Sequence, residues 1–230
     1  MEPESIGVVL KKSPIGGQAK ALSSEAWAQE QAQQEARRKA ERREALWQEA
    51  GVDDRHGKKD TNELMQNIPW AAMVLKAWHL IQKGAPILGF LGDRGNGKTQ
   101  AAALIIRKAV YEERSARYLR CRQVGMAIRA AYRADALTTE DQALRRLTEP
   151  WLLVLDECQE RFDTDHELQT LTLLLDLRYG ACRPTILVAN MAEVAFCELM
   201  GAAVVDRMRE GGGTMVFEGA SFRTGKGEVR

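Results

Sequence analysis

Short, mostly apolar runs of four or five residues recur along this chain at Ile87-Leu88-Gly89-Phe90-Leu91, Ala116 to Leu119, Trp151 to Leu155, Thr185 to Ala189 and Thr214 to Phe217. Runs with little polar alternation predict strands buried on both faces, and the helical patterns between them predict a parallel sheet. The expected fold is therefore α/β, a five-stranded parallel sheet with helices on both faces. Ahead of the first strand, Trp70, Met73, Val74, Ala77, Trp78 and Ile81 fall at the three-and-four spacing of a buried helix face, with Pro69 in the first turn and Gly84 as the stop. Earlier still, Ser24 to Ala50 is rich in Ala, Gln, Glu and Arg, with the pairs Glu35 to Lys39 and Arg37 to Glu41, and Gly51 follows. This predicts one long helix, polar nearly all round. Its bulky apolar residues, Trp27, Leu46 and Trp47, are too few for a stripe that would pack on the main core. They suit a docking element for another protein, or else a solvated spacer.

The expected organisation is a tail over 1–22, an N-terminal helix and linker over 23–60 with Val52 to Asp60 as the linker, a core over 61–225, and a tail over 226–230. About forty residues follow Asn190, too few for two short helices, a strand and a full lid domain. The start, Met1-Glu2-Pro3-Glu4-Ser5, lacks the basic and apolar segments of a secretory signal, which predicts a cytoplasmic protein. Cys121, Cys158, Cys182 and Cys197 form no C-x-x-C pair, so buried free thiols are expected rather than a zinc ribbon. With 33 Lys and Arg against 32 Asp and Glu, a nucleic-acid surface would need local clustering. Arg107 to Arg146 holds ten basic residues, among them Arg129 and Arg133, against five acidic ones. That segment reads either as such a surface or as a solvated helix face, with His166 marking a second place for DNA.

Chemistry enters at Gly92-Asp93-Arg94-Gly95-Asn96-Gly97-Lys98-Thr99, which satisfies G-x-x-x-x-G-K-[ST] directly after an apolar strand and directly before a helix. Glycines let successive N–H groups curl around phosphates while the helix N-terminus presents its positive end. Gly92 through Gln100 is thus the expected nucleotide-binding segment, with Lys98 neutralising phosphate charge and Thr99 ligating Mg²⁺ of bound ATP. Ile68 to Trp70 can wall the adenine. The strand ending in Asp156-Glu157 supplies the second half: Asp156 for the Mg²⁺ shell and Glu157 to polarise the attacking water. These features predict a Mg²⁺-dependent ATPase rather than a small-molecule kinase. Asn190, at the end of the next strand, can orient that water. Arg207, in Val204 to Glu210, reads either as an arginine delivered across a subunit boundary or as a neighbour of an Asp206 to Arg209 surface pair.

Taken in order, the phosphate loop, Leu152 to Glu157, Arg183-Pro184-Thr185 leading to Asn190, Val204 to Arg209 and Ser221-Phe222-Arg223 resemble the DnaC/IstB family of AAA+ ATPases over about residues 70 to 225. The resemblance implies an AAA+ core without a full lid, assembling with ATP on single-stranded DNA and loading a hexameric replicative helicase, with the N-terminal helix as the partner-binding arm. It implies Asn190 as sensor, Arg207 as arginine finger and Arg223 as a second sensor. Ala202 and Ala203 stand where the family often carries an acidic residue and an arginine, which implies weaker contacts between subunits. The family's other branch, transposition helpers acting on duplex DNA, is the alternative, and a nucleotide-gated DNA-binding module with little hydrolysis is a third reading.

Overall fold

The computed structural model describes residues 24–57, 70–131, 139–160 and 165–219. The expectations for the 1–22 tail, for Ile68 and Pro69, for Arg133 and for Arg223 lie outside those residues, and so does the side chain of His166. Five parallel strands, β1 (Ile87–Gly92), β2 (Ala116–Arg120), β3 (Leu152–Asp156), β4 (Thr185–Val188) and β5 (Gly213–Phe217), form one sheet in the order β2-β3-β4-β1-β5. The helices are α1 (Ser24–Ala50), α2 (Asp54–Gly57), α3 (Ala71–Gln82), α4 (Lys98–Tyr111), α5 (Cys121–Ala131), α6 (Glu140–Thr148), α7 (Asp165–Gly180), α8 (Glu193–Met200) and α9 (Ala202–Gly211).

Strand side chains alternate between two cores, as the pleat requires. Leu88, Phe90, Tyr118, Leu152, Val154, Ile186 and Val188 face α3, α4 and the end of α1. Ile87, Leu91, Leu153, Leu155 and Leu187 face the layer of α5, α6, α7, α8 and α9. The chain leaves β1 through α4 on one face and leaves β3 and β4 through helices on the other. The neighbours β1 and β4 therefore flank a topological switch point, and a crevice opens beyond their carboxyl ends. No helix among the described residues is long and apolar enough to cross a membrane.

The chain divides after Arg38 into two compact units. In the first, Trp27 is 56% exposed. In the second, the last three turns of α1 pack on the core, against the expectation from their composition. Ala50 is fully buried, and Leu46 and Trp47 pack beside it. The reason is a set of cation–π contacts that a count of apolar residues does not register. The Arg107 guanidinium lies 4.3 Å from the Trp47 ring centre, and that of Arg43 lies 4.0 Å from the ring centre of Tyr111. Trp47 is thus partly buried against the core, unlike exposed Trp27. The expected linker also contains α2, held by Arg107 Nη2, which donates to the Gly57 carbonyl.

Buried Arg178 staples the sheet's amino-terminal edge. Its guanidinium donates to the carbonyls of Leu147, Thr148, Pro150, Trp151 and Pro184 and to the Thr185 hydroxyl, at 2.8–3.3 Å. Burial, and then Arg183, push the group down to about 9, and the surrounding carbonyls oppose that by favouring the charged form.

Candidate nucleotide site

The turn between β1 and α4 is built on glycines with positive φ: Gly92 at 127°, Gly95 at 90° and Gly97 at 90°. Side chains rarely adopt that conformation, so the sequence spends its glycines where the backbone must curl. At Gly97 a second constraint applies, because a Cβ there would run into the Trp70 indole. Asn96, buried, donates through Nδ2 to the Phe217 carbonyl at 2.9 Å and ties the loop to β5. Lys98 Nζ reaches back to the carbonyls of Gly92 (2.9 Å) and Asp93 (2.5 Å), which places its ammonium inside the loop.

Thr99, in the first turn of α4, donates its hydroxyl to Asp156 Oδ2 at 2.7 Å. Asp156 is buried at the end of β3, and its Oδ1 accepts the Glu157 N–H at 2.7 Å. Tyr118 also donates to Asp156 Oδ2, at 2.8 Å. Burial and the adjacent Asp156 push the Tyr118 phenol well above its ordinary range, so it stays a donor. Tyr118 went unrecognised in the sequence. The signal was positional, since it lies on β2, the strand paired with β3, two residues before the Arg120 that registers with Asp156.

Glu157 has a left-handed backbone, φ 59°. Burial raises its carboxyl most, Glu160 adds to the rise and Arg120 opposes it. Arg120 Nε lies 3.5 Å from Glu157 Oε2. At the next strand end, the Asn190 N–H donates to Gln159 Oε1 at 2.9 Å, and the Gly92 N–H donates to the Met191 carbonyl at 3.3 Å. The phosphate loop, Asp156, Glu157 and Asn190 therefore meet at one edge of the sheet, beside the switch point.

Two other expectations fall differently. Gln100 commits its side chain to His56, with Oε1 3.0 Å from Nδ1 and Nε2 donating to the His56 carbonyl at 3.1 Å. Arg207 lies on α9, which packs against β1 and β5. Its Nη1 is 2.5 Å from Asp176 Oδ1 and its guanidinium 5.2 Å from the Tyr179 ring centre. The Asp206 to Arg209 surface pair is present at 3.6 Å.

The basic segment from Arg107 to Arg146 does not form one face. Arg107, Lys108 and Arg114 stack on Trp47, Trp78 and Trp151 on the α3–α4 side. Arg122 and Arg129 belong to α5 in the opposite layer, and Arg145 pairs with Asp141 at 2.8 Å. Of the four cysteines, Cys121 and Cys158 are buried, Cys182 is exposed and Cys197 is partly covered, which corrects the expectation of uniform burial.

The residues present fit a nucleotide with Mg²⁺. The left-handed glycine loop has the backbone form that phosphates require, and the adjoining Thr99 hydroxyl and Asp156 carboxylate are hard oxygen donors. Among the described residues no three His, Cys, Asp or Glu side chains gather into a metal cage. That suits Mg²⁺, which one or two protein oxygens hold together with phosphate.

No family model matches the chain. It is 30% identical over 136 residues to the replicative helicase loader DnaC of Escherichia coli K12, covering 59% of this chain and 55% of that protein. The chain thus spans a little over half the length of the relative it matches. A crystal structure of the DnaC helicase loader superposes with a TM-score of 0.53 at 20% identity, over 75% of this chain and 98% of that one. The crystal structure of DnaI gives a TM-score of 0.56 at 14% identity, over 74% and 94%. Sheet order, phosphate loop and relatives agree: the core of this chain is similar to that of DnaC, on a five-stranded parallel α/β fold with a phosphate loop.

Proposed function

We propose that this chain is a helicase loader of DNA replication, in which ATP binding and hydrolysis switch the grip on a hexameric replicative helicase and on single-stranded DNA. The observation that carries the reading is the joining of Thr99, Asp156 and Glu157 at one sheet edge, in a core 30% identical to DnaC. ATP supplies the free energy when bound, through cleavage of its terminal phosphoanhydride. The loop N–H groups and Lys98 bind and orient the phosphates, and Thr99 and Asp156 hold Mg²⁺. The Glu157 carboxylate takes the proton of the attacking water, and its raised affinity for protons suits a general base. Asn190 orients that water from the neighbouring strand end. Arg207 reaches a neighbouring subunit's nucleotide once its pair with Asp176 opens, and Arg223 contacts the nucleotide from its own chain.

The region up to residue 60 serves the partner. Its docking anchor is exposed Trp27 in the first unit, since Trp47 is occupied by the core. Self-assembly with ATP completes the cycle, and the cytoplasm is the compartment where this work is done. The test is the light-scattering mass of the purified protein with its host's hexameric helicase, in ATP and Mg²⁺. Several copies per hexamer support the loader reading. A helicase that elutes alone overturns it, and an ATP-dependent preference for duplex over single-stranded DNA would then identify a transposition helper.

A further inference from the structure

The strand ends that carry Glu157 and Asn190 are fastened to each other by a side chain that the nucleotide motifs do not include, that of Gln159. Along β4 the backbone N–H groups alternate in direction, as a strand paired on both sides requires. Those of Thr185 and Ala189 turn toward β1 and donate to the Pro86 and Phe90 carbonyls at 2.9 and 3.0 Å. The Asn190 N–H therefore turns the other way, toward β3.

On that side the ladder has already stopped. The pairing of β3 with β4 ends at Leu155 and Leu187. Beyond it Glu157, with φ 59°, turns the chain aside, and its carbonyl accepts the Glu160 N–H at 3.0 Å instead of continuing the ladder. The same turn sets the Cys158 N–H on the Val188 carbonyl at 2.9 Å, and the next residue closes the gap: Gln159 Oε1 accepts the Asn190 N–H at 2.9 Å. A side-chain amide thus supplies the rung that the backbone omits. Asn190 is the second residue beyond β4, and this bond ties its backbone to the turn that carries Glu157.

We propose that Gln159 is a positioning residue for ATP hydrolysis, holding the Asn190 backbone so that the Asn190 amide and the Glu157 carboxylate address one water. This rests on the reading of Asn190 as the group that orients the water. Loss of the rung misplaces Asn190 and so costs rate rather than binding, because the phosphates are held by the loop after β1.

The experiment uses the full chain and the variants Gln159→Met, Gln159→Glu, Asn190→Ala and the Gln159→Met/Asn190→Ala pair, with a thermal melt of each to establish that it is folded. Steady-state ATP turnover, affinity for a fluorescent ADP and exchange of the Asn190 amide without nucleotide are measured on each. Methionine keeps the reach of glutamine and loses the acceptor, so kcat is expected to fall about three- to tenfold, with KM and ADP affinity held within about twofold. Exchange at the Asn190 amide quickens about fivefold or more in Gln159→Met. Glutamate keeps an acceptor oxygen at the same reach, so exchange in Gln159→Glu stays at the parent's rate. The paired variant is no slower than Asn190→Ala alone, because Gln159 acts through Asn190. An unchanged kcat in Gln159→Met, ADP affinity that falls with kcat, unchanged exchange at Asn190, or effects of the two residues that multiply would each overturn the positioning role. Should Gln159→Met fail to fold, Gln159→Glu decides, and accelerated Asn190 exchange there overturns the role of the acceptor. An unchanged kcat in Asn190→Ala would instead overturn the reading of Asn190, whereas a slow Asn190→Ala beside a normal Gln159→Met removes the positioning role alone.

Discussion

Replacing Arg178 by methionine tests whether one buried cation sets the spacing of three chain segments. Arg178 donates to five carbonyls and one hydroxyl drawn from the end of α6, the approach to β3 and the start of β4. Methionine keeps the bulk of the stem and removes every donor. Two of the carbonyls retain other donors: Thr148 has Arg183 at 2.5 Å and Pro184 has the Leu153 N–H at 3.1 Å. The remaining carbonyls each lose a charge-assisted bond, at about 1–3 kcal/mol apiece where no replacement is found. Against that stands relief of the desolvation that already depresses the guanidinium, worth several kcal/mol for a buried ion. The balance is a loss of about 2–4 kcal/mol, which for a core of this size lowers Tm by roughly 5–15 °C. Calorimetry or a circular-dichroism melt reads it directly. Arg178→Lys retains charge but not the planar fork, so it should fall nearly as far. A methionine variant melting within 2 °C of the parent, or a lysine variant equal to it, would refute the argument that the fork geometry fixes these segments. Because Arg178 sits at the amino-terminal edge of the sheet, nucleotide affinity measured well below Tm should not change.

Other expectations follow from the same contacts. Lys98→Ala should lose binding of a fluorescent ATP analogue by tenfold or more, since the ammonium lies inside the loop that receives phosphate. Trp47→Ala should cost about 1–3 kcal/mol in a denaturant melt, less than a fully buried tryptophan, because its ring packs on the core under Arg107. Trp27→Ala should leave that melt unchanged and weaken co-elution with the helicase, and a reversal of the two tryptophans' effects would return Trp47 to the docking role.

The sheet was legible chiefly because β1, β3 and β4 are nearly continuous apolar runs, the pattern of strands covered on both sides, whereas β2 and β5 alternate between buried and more exposed positions. Boundaries moved by a residue: Trp151 precedes β3 and Ala189 follows β4. Strand order was not legible, since it depends on which face each crossover takes, and no run of residues records that. The misreading of α1 has a related cause. Its last turns are attached by arginines stacked on rings across the contact, so residues that count as polar in the sequence contribute apolar and π surface in the fold.

At the site, the residues legible in advance were those whose chemistry demands a fixed local spacing: the glycines, Lys98 and Thr99 in one turn, and Asp156 with Glu157 at one strand end. Tyr118 was not, because its place beside Asp156 arises from the pairing of β2 with β3, across 38 residues of sequence. That difference bears on how the protein is controlled. Groups that handle phosphate are tied to one another by the backbone of a single loop and strand end, so their geometry is preserved when the N-terminal corner moves. Contacts between separate elements, such as the exposed Arg120 to Asp53 pair at 3.4 Å, are weaker and would yield before that loop does.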